Sequence, residues 1–355
     1  MTFVSPEGVT GRWSAVVVFW RNLEQLKACL AALDRALTGG DEIIIVDNRG
    51  DLDLLSLASQ WSRVKLVSSG QNLVYGGGNN LGAECASRDF LFFVNPDVVV
   101  QPDCLQKLAR ALDSLPSLSL ATPTLLLPNG LINTQGNHVT YAFLTYCRGL
   151  GRSLRDVGWH LVPAVSGAAF AARKADFQAL GGFDKSFFMY LEDTDLSLRA
   201  IEQGGTCWCV ADAIAMHDYR WNFTPFKLGE LEANRWKLLF KHYSRGLLFT
   251  LLPGLILADL SALAYSALRG PTFLRAKLRS YLHVWQVRHH VLEQRAQIAT
   301  TRVVGDAALL RLLSPHVLLR QQLGKTAGIA GEVMLTPLFA IPYVLARIMA
   351  LRRRA

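Results

Sequence analysis

Acidic side chains that could do chemistry follow apolar runs in this sequence of 355 residues. Asp97 comes soon after the run Phe90–Val94, and Asp47 ends the run EIIIV. Runs of this length suit buried strands of a parallel sheet, and Pro96 ends the first because proline cannot donate to the hydrogen-bond ladder. Both acids should therefore lie at the carboxyl ends of strands, the edge of an α/β sheet where ligands bind.

Three further carboxylates, Glu192, Asp193 and Asp195, open a predicted helix directly after the aromatic stretch FFMY. Acidic residues favour the first turn of a helix, where they cap N–H groups and interact with the dipole, so a structural role is one interpretation. Capping accounts for one or two acids, and the aromatic stretch before them indicates a pocket. His217 closes the predicted strand Ala213–Met216. It is either a structural histidine or a metal ligand.

The elements that position these residues alternate between strand and helix. Apolar runs predict the strands Ala15–Phe19, Glu42–Asp47, Val64–Val67 and Leu91–Val94. Apolar residues at helical spacing predict helices at Leu23–Leu33, ended by Gly39-Gly40, and at Leu81–Ala86. This alternation predicts an α/β fold on a parallel sheet with right-handed crossovers.

A glycine-rich stretch, Asn72–Gly82, is predicted to be a loop between the third strand and the following helix. Its glycines would allow a phosphate to approach the backbone, and the helix would offer free N–H groups. A dinucleotide-binding fingerprint beginning at Gly76 would need glycine at position 81, where Leu81 stands, and would follow the first strand. A plain flexible loop is the remaining interpretation.

The next part of the chain contains a small-residue strand, Val165–Arg173, that runs into a helix closed by Gly181-Gly182. Residues 133–163 show no clear period, so we expect a partly mobile insertion there. The six cysteines contain no CxxC pair, and no charged segment followed by an apolar segment opens the chain. A reduced, cytoplasmic compartment fits these features best.

Charge divides the chain into a near-neutral front and a basic back. Residues 246–355 carry 14 Lys/Arg and 4 Asp/Glu, whereas residues 1–245 carry 23 and 24. The back also contains two apolar stretches near membrane-spanning length, Leu247–Leu268 and Val333–Leu351, each interrupted by proline and a charge. The predicted domains are therefore 1–245 and 246–355.

Between the two apolar stretches, apolar side chains at helical spacing share one face, and basic side chains lie off it. This pattern is typical of a basic amphipathic helix in the interface of an anionic membrane. A helical domain whose apolar faces pack together is the alternative. Nucleic acid is not expected as a partner, because aromatic residues among the basic ones are sparse. The apolar set is Leu274, Leu278, Leu282, Trp285 and Leu292; the basic set is Arg275, Lys277, Arg279 and Arg288.

Taken together, residues 14 to about 245 resemble the family 2 glycosyltransferases with a GT-A fold. The resemblance rests on VVVFW, EIIIVDN, NLVYGGGNNLG, LFFVNPD, SGAAFAARK, GGFDKSFFMYLEDTDLSLR and His217, in the family's order and spacing. The NPD and FFMYLEDTDL variants look most like bacterial rhamnosyltransferases that act on lipid-linked glycans. The implied fold is a Rossmann-like, mainly parallel sheet flanked by helices, followed here by a basic helical region that associates with the membrane.

The resemblance implies a donor-binding role for four residues. Phe19 and Asp47 would hold the base, and Asn72 and Asn80 would lie along the ribose and the diphosphate. The implied donor is a nucleotide sugar, dTDP-L-rhamnose being our best guess, and UDP-hexoses or galactofuranose donors stay open as alternatives.

The resemblance also implies the residues of the reaction. Asp97 would match the last Asp of the family's DxD motif and bind Mg²⁺ or Mn²⁺, with His217 as a second metal contact. Asp193 would be the general base, and Glu192 would lie beside the acceptor. The sequence departs from the motif because its first position is Asn95, which puts tight metal binding by the free protein in doubt.

The implied function is an inverting, metal-dependent transfer to a polyprenyl-diphosphate-linked glycan at the cytoplasmic face of the membrane. The physics agrees, since a leaving diphosphate gains charge that a cation stabilises, and an acceptor hydroxyl needs a base. A non-catalytic GT-A scaffold that binds a sugar nucleotide is the alternative, and Asn95 is the feature that favours it.

Overall fold

The computed structural model describes residues 12–50, 53–155, 157–219 and 222–352. The strands are β1 (Trp13–Phe19), β2 (Glu42–Asp47), β3 (Val64–Ser68), β4 (Phe90–Val94), β5 (Val98–Val100), β6 (Leu118–Leu126), β7 (Ile132–Thr134), β8 (Asn137–Val139), β9 (Thr145–Cys147), β10 (Trp159–Leu161), β11 (Ala169–Arg173) and β12 (Thr206–His217). The helices are α1 (Leu23–Ala36), α2 (Asp53–Ala58), α3 (Val74–Cys85), α4 (Cys104–Ser114), α5 (Lys174–Ala179), α6 (Glu192–Glu202), α7 (Pro225–His242), α8 (Arg245–Arg269), α9 (Pro271–Gln286), α10 (Arg288–Thr301), α11 (Asp306–Leu312), α12 (Arg320–Leu323) and α13 (Lys325–Arg352).

In the described part of the chain, ten strands form one mixed sheet. Its order is β10-β12-β6-β11-β4-β1-β2-β3, with β5 paired to β12 and β7 to β6. Strands β4, β1, β2 and β3 run parallel, as do β12 and β6, whereas β11 is antiparallel to both β4 and β6. The predicted α/β class with a mainly parallel sheet and flanking helices is confirmed.

The strands at the centre of the sheet form where the apolar runs predict them. β2 and β4 are buried along their whole length, and β1 begins two residues before its predicted start. Phe19 pairs with Asp47, and Asp47 pairs with Ser68, so the carboxyl ends of three strands lie level at one edge. That edge carries the candidate site.

The glycine-rich stretch is helix and not loop, so that prediction was wrong. α3 begins at Val74, and its residues Gly78 and Gly82 face the sheet. A Cβ on Gly82 would lie 2.3 Å from Val16 Cγ1, and one on Gly78 would lie 2.7 Å from Val18 Cγ1. The glycines therefore let the helix approach β1 closely, and this packing outweighs their poor helix propensity.

In the segment 133–163, most of residues 133–146 are buried, whereas the described residues of 148–161 are exposed or half-buried. The expected mobile insertion therefore does not fit residues 133–146. The segment contains β8, β9 and β10, and Tyr141 and Phe143 are almost fully buried. Tyr243 donates a hydrogen bond to the carbonyl of Tyr141 at 2.6 Å, and the Tyr141 N–H donates to Ser314 at 3.0 Å. Contacts with distant parts of the chain hold this segment, so no local period marks it.

The apolar face predicted around Trp285 is exposed, but the helix there is broken into α9 and α10 at Val287. Lys277 does not lie on a solvated basic face as predicted. It is fully buried and forms ion pairs with Glu232 of α7 and with Asp259 of α8, the latter at 2.6 Å. Its charge therefore ties three helices together.

Helices α8 and α13 contain segments long and apolar enough to cross a membrane, Arg245–Arg269 and Gly328–Ala350, with mean hydropathies of 2.0 and 1.7. Only 28% and 22% of these apolar windows are buried. Phe249 and Val333 are 79% and 71% exposed. Residues 246–355, which form the back of the molecule, thus present a large apolar surface.

Candidate active site

A cleft of about 1190 Å³ lies along the carboxyl edge of the sheet. Trp20 follows β1, Asn48 follows β2, Asp97 follows β4 and His217 ends β12, and all four line it. The topology therefore brings together residues that are almost 200 positions apart.

The side chains of Asp97 and His217 meet in this cleft. His217 Nε2 lies 3.5 Å from Asp97 Oδ1, and His217 Nδ1 lies 2.9 Å from Asn133 Oδ1. An amide oxygen only accepts, so we assign the proton to Nδ1, which leaves the lone pair of Nε2 directed towards Asp97. Asp97 Oδ1 is buried and has no hydrogen-bond partner within the described residues.

These two side chains fit a divalent cation. A carboxylate oxygen without a partner and an imidazole lone pair converge, and the Asn133 amide fixes the orientation of the ring. No group of three or more His, Cys, Asp or Glu that could hold a metal occurs in the described ranges. The protein could thus supply two ligands, and the other positions would fall to phosphate oxygens and water.

Asp47 is buried at the end of β2 and shapes the adjoining turn. Its Oδ1 accepts hydrogen bonds from the N–H groups of Arg49 at 2.9 Å and Gly50 at 2.8 Å. Asn72 is exposed in the cleft and accepts from the N–H of Val74 at 2.9 Å. Both therefore lie at the predicted edge, where a bound nucleoside could reach them.

Two other predicted donor-binding side chains point elsewhere. Phe19 is fully buried in the core, and the exposed neighbour Trp20 lines the cleft instead. Asn80 lies two turns inside α3, where its amide exchanges hydrogen bonds of 2.8 and 2.9 Å with the backbone of Phe183. Asn80 therefore connects α3 to the loop at Phe183. It does not reach the cleft, because α3 starts earlier than predicted and places it elsewhere.

A strained turn positions the carboxylates of α6. Tyr190 and Leu191 have φ values of 71° and 65°, a left-handed conformation that non-glycine residues rarely adopt. The Asn234 amide donates to the carbonyls of Met189 at 2.9 Å and Tyr190 at 2.8 Å. Such strain costs about 1–3 kcal/mol and concentrates at functional sites. It fixes where Glu192 and the residue after it enter the helix.

Asp193 is held firmly beside the cleft. Its Oδ2 accepts from the Gly167 N–H at 2.8 Å and from Asn137 Nδ2 at 3.3 Å. Its Oδ1 accepts from the Thr194 N–H at 2.6 Å. The Tyr75 hydroxyl, which lines the cleft, donates to the carbonyl of Gly167. Gly167 thus connects Asp193 to Tyr75 in the cleft wall, and Asp193 lies just behind that wall.

The two adjacent carboxyl groups share a buried environment. Burial raises the pKa of Glu192 to about 8, and repulsion from Asp193 adds to the rise. Burial also raises the pKa of Asp193, although hydrogen bonds from Gly167 and Thr194 act against it. Glu192 Oε2 is buried without a hydrogen-bond partner in the described structure. Hydrogen bonds stabilise the charged form of Asp193, whereas Glu192 Oε2 has no such bond among the described residues, so burial favours the protonated form more for Glu192 than for Asp193.

Asp195, the third acid of this turn, has a structural role. It is fully buried and pairs with Arg199 at 2.9 Å, His242 at 3.1 Å and Lys241. Burial would raise the pKa of Asp195, but Lys241 and Arg199 hold it well below its usual range. The capping alternative thus fails for this residue, because its partners are cations and not helix N–H groups.

Sequence reasoning missed several residues that the fold brings to the site. Asn133 orients His217, Asn137 contacts Asp193, and Lys227 lines the cleft at the first turn of α7. Asn133 and Asn137 fall in the segment without a period, so no pattern in the sequence signalled them. Thr224 caps α7 with Pro225 after it, a start signal that would have placed Lys227.

The sheet order and the acidic residues at strand ends agree with the predicted GT-A fold. Residues 14–181, slightly less than half of the chain, match the model of the family described as glycosyl transferase family 2. This match supports a glycosyltransferase, as the motifs predict.

Relatives and a solved structure agree with this assignment. The N-acetylglucosaminyl-diphospho-decaprenol L-rhamnosyltransferase of Mycobacterium tuberculosis is 28% identical over 224 residues, covering 54% of this chain and 71% of the relative. The rhamnosyltransferase WbbL of Escherichia coli is 25% identical over 199 residues, covering 44% and 65%. A crystal structure of GalNAc-T7 with UDP, GalNAc and Mn²⁺ matches with a TM-score of 0.54 at 17% identity, covering 65% and 49%, which supports the fold alone.

Proposed function

We propose that this protein transfers a sugar, with inversion, from a nucleotide diphosphate donor to a polyprenyl-diphosphate-linked glycan. L-rhamnose from dTDP-L-rhamnose is the best candidate sugar, because two relatives are named rhamnosyltransferases and one of those names includes a lipid-linked acceptor. The polysaccharide would belong to the cell wall or the O-antigen.

The observation that carries the proposal is the convergence of Asp97 and His217 at the floor of a large cleft. Asp97 Oδ1 has no partner among the described residues, and Asn133 fixes the ring of His217. Asp97 and His217 would hold Mg²⁺ or Mn²⁺, which would neutralise the charge that develops on the leaving diphosphate. The turn after Asp47 and the side chain of Asn72 would contact the nucleoside.

Asp193 would be the general base, and Glu192 would keep the proton of the pair. An ionised Asp193 can take the proton from an acceptor hydroxyl. A hydroxyl activated from the face opposite the leaving group attacks the anomeric carbon directly, so the configuration inverts. Protonated Glu192 could donate a hydrogen bond to the acceptor and would not repel it.

We also propose that the back of the molecule, residues 246–355, attaches the protein to the cytoplasmic face of a membrane. The exposed apolar faces of α8 and α13 would enter the lipid, and the excess of basic residues would favour anionic headgroups. The six cysteines are all free in the structure, which suits a reducing compartment.

Donor turnover with purified protein tests the reaction. dTDP-rhamnose, UDP-glucose, UDP-galactofuranose and UDP-GlcNAc would each be supplied with Mg²⁺, Mn²⁺ or EDTA. We expect the protein to turn over one of these donors, and only when metal is present. Asp97→Asn should reduce this turnover on the order of 10²-fold or more, whereas Asp103→Asn should leave it unchanged. Asp103 is a matched control because its carboxylate pairs with Lys107 on the surface.

Three results would contradict the proposal. Binding of no donor by the wild-type protein would undermine the Asp47 and Asp97 assignments, whereas binding of a donor without turnover would favour the scaffold. Equal turnover in the presence and absence of EDTA would contradict the proposed dependence on a metal. The anomeric configuration of the product, read by NMR, tests inversion separately. Recovery of the full-length protein entirely in the soluble fraction, at low salt and without detergent, would contradict membrane attachment.

A further inference from the structure

An apolar cavity of about 440 Å³ lies behind the active site, between α7, α8, α13 and the segment 143–146. Its volume falls in the range of ~300–1,000 Å³ that small-molecule sites occupy. Most of its lining is aliphatic or aromatic, including Phe143, Ala262 and Leu335. The charged residues in its wall, Glu232 and Arg235, form an ion pair of 2.8 Å with each other. The cavity therefore suits a hydrocarbon and not a polar ligand.

The mouth of the cavity opens on the apolar surface of the back. Leu268 of α8 and Met334 of α13 line the cavity and are 88% and 66% exposed. They lie on the two helices whose apolar faces would enter the lipid, so a chain anchored in a bilayer could enter here without crossing water.

The inner end of the cavity reaches the active site. Leu191, which lines it, directly precedes Glu192. At the start of α7, Phe223 and Leu228 face the cavity, whereas Thr224 and Lys227 line the cleft. A single helical turn thus separates the apolar cavity from the polar wall of the cleft, where Lys227 carries a positive charge.

We propose that this cavity binds the isoprene units next to the diphosphate of the lipid-linked acceptor; this inference rests on the proposed function. The lipid end would lie between α8 and α13, and the diphosphate would pass near Lys227, which carries the complementary charge. The sugar would then enter the cleft beside Asp193. The rest of the chain would stay in the bilayer, because the cavity holds only a few isoprene units.

A change in chain-length preference tests the cavity. Ala262→Phe fills it, and Ala267→Phe makes the same change on the exposed face of α8, outside the cavity. Two acceptors with the same sugar diphosphate would be compared in detergent: one carries a full polyprenyl chain, and the short-chain acceptor carries only a methyl group, which is too short to enter the cavity. We expect Ala262→Phe to raise the KM of the long-chain acceptor on the order of tenfold, which is the loss of about two buried methylenes. The KM of the short-chain acceptor should not change, and Ala267→Phe should match the wild type.

Equal effects on both acceptors, or an effect on neither, would overturn the inference. Ala264→Phe at the mouth replaces Ala262→Phe if the latter does not fold. Photo-crosslinking gives a readout without catalysis: a photoreactive polyprenyl diphosphate should label residues around 258–265 in the wild type and not in Ala262→Phe. Labelling by a diacyl phospholipid probe that the polyprenyl diphosphate does not displace would assign the cavity to bulk lipid and overturn the inference.

The failures of the two proposals are distinguishable. Crosslinking without sugar transfer would refute the proposed function and keep the cavity, whereas transfer that is independent of chain length would refute the cavity and keep the function.

Discussion

The first turn of α6 carries carboxylates in two opposite environments. Asp195 faces the junction with α7, where Arg199, Lys241 and His242 surround it and hold its pKa well below the usual range. Glu192 and Asp193 lie behind the cleft wall, next to Tyr190 that lines it, and burial raises the pKa of both. The difference lies in the partners and not in the burial, because burial alone would raise all three pKa values.

The comparison shows how one helical turn serves stability and chemistry. Matched cations leave Asp195 no freedom to exchange a proton near neutral pH, so it can act only as an anchor. Glu192 and Asp193 form no ion pair among the described residues, and burial raises the pKa of both towards the range that suits a general base. Changes on the two sides should therefore have separable effects.

Asp193→Asn should have the largest effect and should act mainly on transfer. The amide oxygen can still accept from Gly167, but the NH2 group replaces the acceptor of the Thr194 N–H and cannot take a proton. We expect transfer to fall about 10²–10⁴-fold, with a melting temperature only slightly below that of the wild type. Steady-state kinetics with the lipid-linked acceptor and a thermal melt measure both quantities.

Asp195→Asn is the control for this prediction, two positions along the same helix. It should lower the melting temperature, because its buried cations lose their countercharge. Wild-type transfer by Asp193→Asn would remove Asp193 as the base and leave Glu192 as the remaining candidate.

Lys241→Met should have the next largest effect and should act on stability. Lys241 pairs with Asp195 and, at 2.6 Å, with Asp184, so the change leaves buried carboxylates short of a cation. Loss of one member of a buried ion pair costs about 3–5 kcal/mol. Urea unfolding followed by circular dichroism measures the loss.

Lys237→Met is the matched control on the same helix. Lys237 donates to the carbonyl of Ser186 at 2.6 Å, and burial lowers its pKa to about 8. Its removal should cost clearly less than that of Lys241. Equal losses in the two variants would show that the ion pairs of Asp195 are not what stabilises the junction.

The sequence was informative where local chemistry decides the structure. Apolar runs ended by polar residues predict β2 and β4 at their observed positions, and the acidic cluster predicts the start of α6 at Glu192. Asp97 and His217 meet as predicted because strand ends share an edge. These features depend on a few neighbouring residues and on the general rules of parallel sheets.

The sequence was misleading where tertiary contacts decide. Glycines predicted a loop at Asn72–Gly82, but Gly82 is needed for helix contact with Val16, a residue 66 positions earlier. Asn133 lies 84 positions from the histidine that it orients, so no spacing connects them. A metal-binding role for Asp97 was predicted only from the resemblance to the family, because a single carboxylate after a strand is common.

Glu192→Gln should have the smallest effect and should show it through pH. The folded pKa of Glu192, raised to about 8, exceeds its ordinary value of 4.5, so the fold favours the protonated group. Wild-type stability from this group is complete below pH 4.5 and is lost as the pH rises towards 8. Glutamine stays neutral, so the free energy of unfolding of the variant should rise relative to that of the wild type as the pH increases across this window. Urea unfolding at a series of pH values measures the difference in the free energy of unfolding between variant and wild type. The control Glu84→Gln, on the exposed face of α3, should show no such difference.

A difference that stays constant from pH 5 to 8 would mean that Glu192 is ionised in the folded protein. The proton shared by Glu192 and Asp193 would then have to lie on Asp193.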